Sequence, residues 1–280
     1  MSKDNRRFSA SGDSASDYVP LVGWNPEIEP TRWLVLGSDT LLMNGQSFVW
    51  SLLAECFVGK NIQSYLVGYW QGEPIALVMA DASLVNSNQW VPVRSLLPTA
   101  SDSEFALLNH ALQLKRSSEA HRFCGLCGAA TKPVLNEWSH DCSLCHHRVY
   151  PRVSPCIIVL VTKGEELLLV KHKRHQSKPS PFFTVIAGFI EPGESAEAAV
   201  AREVMEEVGL TVDNIHYQCS QSWPFPHSLM LGFHATYVSG NIVLEEKELV
   251  EGYWFTVDNL PDIPAGYTIS RQLIDAFIEK

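Results

Sequence analysis

The sequence predicts a mixed α/β (α+β) protein, with helices laid on the faces of mixed sheets and a small metal-binding module between two larger regions. Three observations carry this expectation. Short apolar, β-rich runs bounded by Gly, Pro and Asn recur along most of the chain. Two CxxC pairs stand near the middle. A 23-residue stretch, GFIEPGESAEAAVAREVMEEVGL from Gly188 to Leu210, interrupts the strands of the C-terminal half with a loop and a helix. The length of 280 residues fits one large or two ordinary domains, and 46% hydrophobic with 19% charged residues supplies an ample core.

Residues 1–18 are rich in Ser, Asp, Asn and Arg and read as a disordered tail. Residues 19–120 read as an N-terminal, β-rich scaffold domain. A strand is expected at 32–36, and a hairpin joins 64–70 to 75–80 through Gln71-Gly72-Glu73-Pro74. Ser101 and Glu104 stand at capping-box spacing ahead of Phe105, Leu108 and Leu112, which recur at helical period. Beyond residue 151, strands are expected at 156–162, 166–170, 182–186, 215–222, 229–238 and 252–256, with a closing helix at 270–279.

Between these regions lie Cys124-Gly-Leu-Cys127 and Cys142-Ser-Leu-Cys145, separated by fourteen residues. Two CxxC pairs at this separation fit the closed four-thiolate zinc site of a ribbon, here 121–150. Four protein ligands leave no open coordination position, so the zinc is expected to be structural, one per chain. His140, His146 and His147 lie nearby as solvated groups or as supports to a ligand. Cys56, Cys156 and Cys219 lack partners at ligand spacing and read as small buried hydrophobes. This use of cysteine points to a reducing, cytoplasmic compartment. No apolar run reaches bilayer length, and the net charge of −10 offers nucleic acid no general attraction.

In the Gly188–Leu210 stretch, Glu203, Glu206 and Glu207 stand in i, i+3, i+4 relation and so share a helix face. Ala201, Val204, Met205 and Val208 are expected on the opposite, core-packed face, and Gly209 at the C-cap. No Lys or Arg follows four residues later to offset the three like charges. Such a face is either a solvated acidic surface or a seat for hard divalent cations such as Mg²⁺ or Mn²⁺. The succession of Gly188, Glu194, Arg202-Glu203, Glu206-Glu207 and Gly209 resembles the Nudix box at each of its defining positions. That resemblance implies an α/β/α sandwich, over residues 151–280, that binds divalent metal and cleaves a diphosphate bond.

Downstream, Ser220-Gln221-Ser222-Trp223-Pro224-Phe225-Pro226-His227-Ser228 sets two aromatics among prolines. Taken alone it reads as a Pro-rich turn or as flat faces for base stacking. With the cysteine pairs it resembles the SQPWPFPxS signature of the NADH pyrophosphatase family, whose bacterial members remove NAD caps from RNA. Ser222 stands where the motif has its first proline. The resemblance spans about 121–280 and extends weakly into Gly68–Pro74 and Val93-Arg94. It implies metal ligation by Glu203, Glu207, Glu248 and the Ala187 carbonyl, with Glu206 joining when further ions bind. It implies substrate contacts from Arg94, Glu137, Tyr150, Ser270 and the segment Gln221, Ser222, Trp223, Pro224, Phe225, Pro226, His227 and Ser228. Phe189 is placed with Trp223 and Tyr150 around a base, and Arg202 is expected to position carboxylates. Substrates would be NAD(H) and the 5′ end of NAD-capped RNA, the assembly a homodimer, and Glu206 or Glu248 the proton acceptor.

Two other readings compete. One is a Nudix enzyme for ADP-ribose or a dinucleoside polyphosphate, against which the 220–228 segment argues. The other is a non-catalytic zinc-ribbon RNA-binding protein, against which the intact box and the acidic charge argue. The basic run 171–178 is either an exposed loop or a phosphate-facing patch. No G-x-G-x-x-G loop follows a strand, which disfavours hydride transfer.

Overall fold

The computed structural model describes residues 16–52, 64–80, 89–173 and 182–279, which divide into two compact units at residues 152 and 153. Cys56 and most of the basic run 171–178 lie outside the described residues. No described helix is long and apolar enough to cross a membrane.

The first unit is built on a seven-stranded sheet: β1 (Tyr18–Pro20), β2 (Arg32–Leu36), β3 (Thr40–Leu42), β4 (Val49–Trp50), β5 (Ser64–Trp70), β6 (Glu73–Met79) and β7 (Trp90–Pro92). Its order is β1-β5-β6-β2-β3-β7, with β4 beside β2, and only β2–β6 is parallel. The β5–β6 hairpin turns at Gln71 and Gly72, both at positive φ (51° and 81°), as a tight two-residue turn requires. After the single turn α1 (Val93–Leu96), helix α2 (Asp102–Ala120) starts on the expected capping box: Ser101 Oγ accepts from Glu104 N, and Glu104 Oε2 accepts from Ser101 N. Its Leu107, Leu108, Ala111 and Leu112 are fully buried. Tyr18, at the edge of the expected tail, is buried in β1 and donates to the Val67 carbonyl.

The ribbon belongs to this first unit. Strands β8 (Thr131–Pro133), β9 (His140–Cys142) and β10 (Arg148–Val149) form a three-stranded antiparallel sheet. It is tied to the N-terminal segment by Asn136 N donating to the Trp24 carbonyl (2.8 Å) and Trp138 Nε1 donating to the Leu21 carbonyl (3.0 Å). Gly23 lies against the Asn136–Glu137 peptide, where any Cβ would collide with backbone.

In the second unit, β11 (Ser154–Lys163), β12 (Glu166–His172), β13 (Ile186–Phe189), β14 (Thr211–Trp223), β15 (Ser228–Ser239) and β16 (Leu249–Thr256) make one mixed sheet. β11 is central. It pairs in parallel with β15 and antiparallel with β12 and β13. Being apolar on both faces, it sends Ile157, Val159 and Val161 toward helix α3 (Ala196–Val208), and Ile158 and Leu160 toward helix α4 (Ile269–Ile278). The period of two thus makes the expected sandwich, with one helix on each face. The strand expected at 182–186 is displaced: Thr184 only bridges Val170, and regular pairing begins where Ile186–Phe189 crosses to β11.

One expectation for α3 is corrected. Ala201 is exposed and Met205 is 48% exposed, whereas Ala199, Val200, Val204, Glu207 and Val208 are buried. At about 100° per residue, the core-facing stripe runs through 200, 204, 207 and 208, so Glu207 falls on its edge and Met205 does not. The three glutamates do not share one solvated face.

Candidate active site

The loop after β13 turns at Gly193 (φ 86°), and Ser195 Oγ caps α3 by accepting from Ala198 N. Glu194, just before that cap, accepts from Glu191 N and takes both Nε and Nη2 of Arg202 at 2.8 Å. The same guanidinium donates to Glu203 Oε1 (2.8 Å), Glu206 Oε2 (2.9 Å) and the Phe189 carbonyl (2.9 Å). A planar, five-donor fork can hold three carboxylates and a carbonyl at once, where an ammonium could not. Arg202, first among the causes, holds the Glu194 carboxyl down at about 2. The compensating cation is thus not downstream of the glutamates but before them, at position 202, and it reaches across turns. Glu194 lies eight residues from it, a spacing with no helical meaning; the box motif marks both positions, and Arg202 positions carboxylates as expected.

Gly188 explains itself in this arrangement. Its Cα packs on the Glu203 carboxylate, and a Cβ there would fall on the carboxyl group. Burial is the main cause raising the Glu203 pKa; Arg202 opposes it, and the charges of Glu206 and Glu248 push it further up. Glu207 is 3% exposed, and the Glu206 side chain is 58% exposed. Glu248 arrives on a strap that follows β15 and Gly240. Val243 N donates to the Val208 carbonyl and Glu245 N to the Glu207 carbonyl, each at 2.9 Å, so the strap closes the last turn of α3. Gly209 (φ 69°) ends the helix left-handed, as expected. Ala187 sits in β13 opposite Ile158. The donor set around α3 is oxygen throughout, which suits a hard divalent cation.

The 220–228 segment forms the end of β14, a turn and the start of β15. The Trp223 ring meets Phe225 edge-on (centroids 5.6 Å, 68°) and lies nearly parallel to Tyr267 (6.4 Å, 18°). Ser222 and Pro226 are exposed, and Pro224 and Ser228 are buried. His227 Nδ1 lies 3.2 Å from Ser154 Oγ. Gln221 is 4% exposed and uses both ends of its amide inside the protein: Nε2 donates to the Tyr267 carbonyl (2.8 Å), and Oε1 accepts from Ile269 N (2.9 Å). Ser270 is buried, its hydroxyl 2.9 Å from Thr184 Oγ1. Phe189 is 51% exposed. Tyr267 carries no signal in the sequence, since no spacing links it to residue 223.

The remaining expected contacts lie in the first unit. Arg148 joins Glu137 (3.1 Å) and Asp141 (2.7 Å), and the Tyr150 hydroxyl donates to Glu137 Oε2 (3.3 Å). Arg94 is exposed on α1. Lys171, from the basic run, belongs to the second unit, where it pairs with Glu251 at 2.8 Å and lies 4.6 Å over the Phe183 ring.

The ribbon's thiols are tightly grouped. Cys124 and Cys145 sulfurs are 3.6 Å apart, those of Cys127 and Cys142 3.4 Å, and all four lie within 4.8 Å. Such spacing fits a tetrahedral zinc with bonds of about 2.3 Å. Leu126 N donates to the Cys124 sulfur, and Leu144 N and Cys145 N donate to Cys142, whose thiol these bonds lower to about 6. Among the described residues no other group of His, Cys, Asp or Glu is so closely drawn together; Glu194, Glu203 and Glu206 are spread around Arg202.

Comparison with known proteins agrees with this construction. The NUDIX domain matches residues 150–277, and the NADH pyrophosphatase zinc ribbon domain matches residues 119–150. The NAD-capped RNA hydrolase NudC of Pseudomonas syringae pv. syringae (strain B728a) is 44% identical over 213 residues, 76% of each chain. That of Pseudomonas aeruginosa (strain LESB58) is 44% identical over 215 residues, again 76% of each. A solved Nudix hydrolase from Nitrosomonas europaea is 22% identical, covering 56% of this chain and 90% of its own, with a TM-score of 0.47. The chain belongs to the Nudix hydrolases, in the group of these NAD-capped RNA hydrolases with their zinc ribbon.

Proposed function

We propose that this protein hydrolyses the diphosphate bond of NAD(H), giving AMP with nicotinamide mononucleotide from NAD or its reduced form from NADH, and removes NAD caps from RNA to leave a 5′-monophosphate end. The observation that carries the reading is the Glu203 carboxylate, held with Glu206 by Arg202 and close enough to Glu206 and Glu248 for their charges to raise its pKa. The kinship with NAD-capped RNA hydrolases supports the choice of substrate.

Glu203, Glu207, Glu248 and the Ala187 carbonyl would hold Mg²⁺ or Mn²⁺, with Glu206 joining for further ions. Such ions supply charge neutralisation at the phosphate oxygens and a more acidic bound water. The chain's own residues do the rest. Arg202 keeps Glu203 and Glu206 from scattering under their mutual repulsion, and the strap brings the Glu248 charge to bear on Glu203. Glu206 or Glu248 takes the proton of the attacking water. Trp223 and Phe189 offer faces to the nicotinamide, with His227 beside them in the segment; from the first unit, the resemblance implies Arg94, Glu137 and Tyr150. Gln221 and Ser270, being buried, brace the segment from within. The ribbon zinc is structural. The working form is taken as a cytoplasmic homodimer; CxxC pairs used as metal ligands rather than disulfides are in keeping with that compartment.

The test is turnover of purified protein on NADH, NAD, ADP-ribose and NAD-capped RNA with Mg²⁺ or Mn²⁺. Release of reduced nicotinamide mononucleotide from NADH and of nicotinamide mononucleotide from capped RNA, with kcat/KM above that for ADP-ribose, is expected. A preference for ADP-ribose would move the protein to the competing Nudix reading.

A further inference from the structure

Recognition of a flat base needs more than an aromatic side chain; it needs that side chain's plane to be fixed before the substrate arrives. Trp223 has two χ angles and opens the turn between β14 and β15, so its own backbone does not fix its ring. Two neighbours do. Phe225 abuts it edge-on, and Tyr267 lies almost parallel to it, 18° between planes and 6.4 Å between centroids, within the range of an offset stack. Phe225 belongs to the same turn and moves with it. Tyr267 belongs to another element, the approach to α4, and ties the Trp223 plane to the start of that helix.

Tyr267 is itself held. Its carbonyl accepts from Gln221 Nε2, while Gln221 Oε1 accepts from Ile269 N in the first turn of α4. One buried amide therefore locks the strand end that carries Trp223 to the turn that carries Tyr267. Just beyond, Ser270 is joined to Thr184, anchoring the same turn to the segment before β13.

We propose that Tyr267 is a specificity-determining positioning residue: held through its carbonyl by Gln221, it fixes the plane on which Trp223 receives the base that is not adenine. This rests on the reading of Trp223 as the nicotinamide platform, and it adds a residue that acts on the substrate only through Trp223. It also assigns Gln221, within the substrate segment, a role without substrate contact.

The experiment measures kcat and KM for NADH and ADP-ribose in the same Mg²⁺ buffer for wild type, Trp223→Ala, Tyr267→Leu, Tyr267→Phe and the double variant Trp223→Ala/Tyr267→Leu. Leucine keeps the apolar character and removes the flat ring; thermal unfolding checks that the variants fold, and Tyr267→Phe keeps the ring. Tyr267→Leu should lower the NADH to ADP-ribose ratio of kcat/KM by roughly 2- to 10-fold, the range for loss of one aromatic pair, mainly through KM for NADH. Tyr267→Phe should keep the wild-type ratio. The double variant should match Trp223→Ala within about twofold, because a residue acting through Trp223 has nothing left to act on. If Trp223→Ala narrows the ratio and Tyr267→Leu does not, or if the two losses multiply in the double variant, the positioning role is refuted and the nicotinamide platform stands. If Trp223→Ala leaves the ratio untouched, the platform itself falls and the role of Tyr267 with it.

Discussion

At the scale of single residues, the site is a problem of like charges. Glu203 is half-buried against Gly188, Glu207 is buried, and Glu206 and Glu248 add repulsion to Glu203. One guanidinium spans three carboxylates and stabilises the arrangement only incompletely, since burial still raises the Glu203 pKa. Removing a charge should therefore cost function and spare the fold. Glu207→Gln and Glu203→Gln are each expected to lower kcat by roughly 10² or more, because charge stabilisation at the phosphoryl group is lost. The unfolding midpoint in EDTA should be unchanged or higher than that of wild type, because a buried charge has been neutralised at nearly constant shape. Wild-type turnover in Glu207→Gln would remove that residue from the mechanism.

At the scale of elements, helix α2 is docked through a titratable contact. His110 lies with Nδ1 2.6 Å from the Tyr18 hydroxyl and its ring edge-on to Trp138 at 5.7 Å. Burial lowers its pKa from 6.5 to about 4. The folded state thus binds this proton more weakly than the unfolded state, and below pH 6.5 the unfolded chain gains it first. Stability should be undiminished above about pH 6.5 and should fall as pH drops toward about 4, by roughly 3 kcal/mol in full. Six of the eight tryptophans lie in the first unit, so their fluorescence in urea titrations reports it. The urea midpoint of wild type should drop between about pH 7 and about pH 4.5 more steeply than that of His110→Gln. Parallel pH profiles for the two proteins would show that this histidine is not the group responsible.

At the scale of the whole molecule, the proposed function gives one chain two metal sites of opposite design. The four grouped thiols would close around zinc, whereas the carboxylates proposed as ligands at α3 would leave places for water and phosphate. Brief EDTA treatment should abolish turnover, and Mg²⁺ or Mn²⁺ alone should restore it, while zinc measured by atomic emission stays at about one per chain. A requirement for added zinc would reverse the roles given to the two sites.

Much of this is legible in the residues themselves, wherever the relevant physics is local. The capping box at Ser101, the left-handed Gly209, the Gln71-Gly72 turn and the paired CxxC knuckles each depend on a few consecutive residues, and each forms as its spacing predicts. The box helix and the apolar strand β11 are likewise visible as periodic or continuous runs. What only the tertiary structure decided depends on neighbours distant in sequence. Which side of α3 is core was set by the sheet beneath it, which buried Glu207 and exposed Met205 against the expected stripe. The 182–186 strand moved because Ile186–Phe189 found its partner on β11 rather than on β12. Gln221 bracing Tyr267 and Tyr267 lying along Trp223 leave no mark in spacing. A side chain's hydrogen-bond and stacking partners are chosen by the fold that surrounds it, and that choice is made in three dimensions.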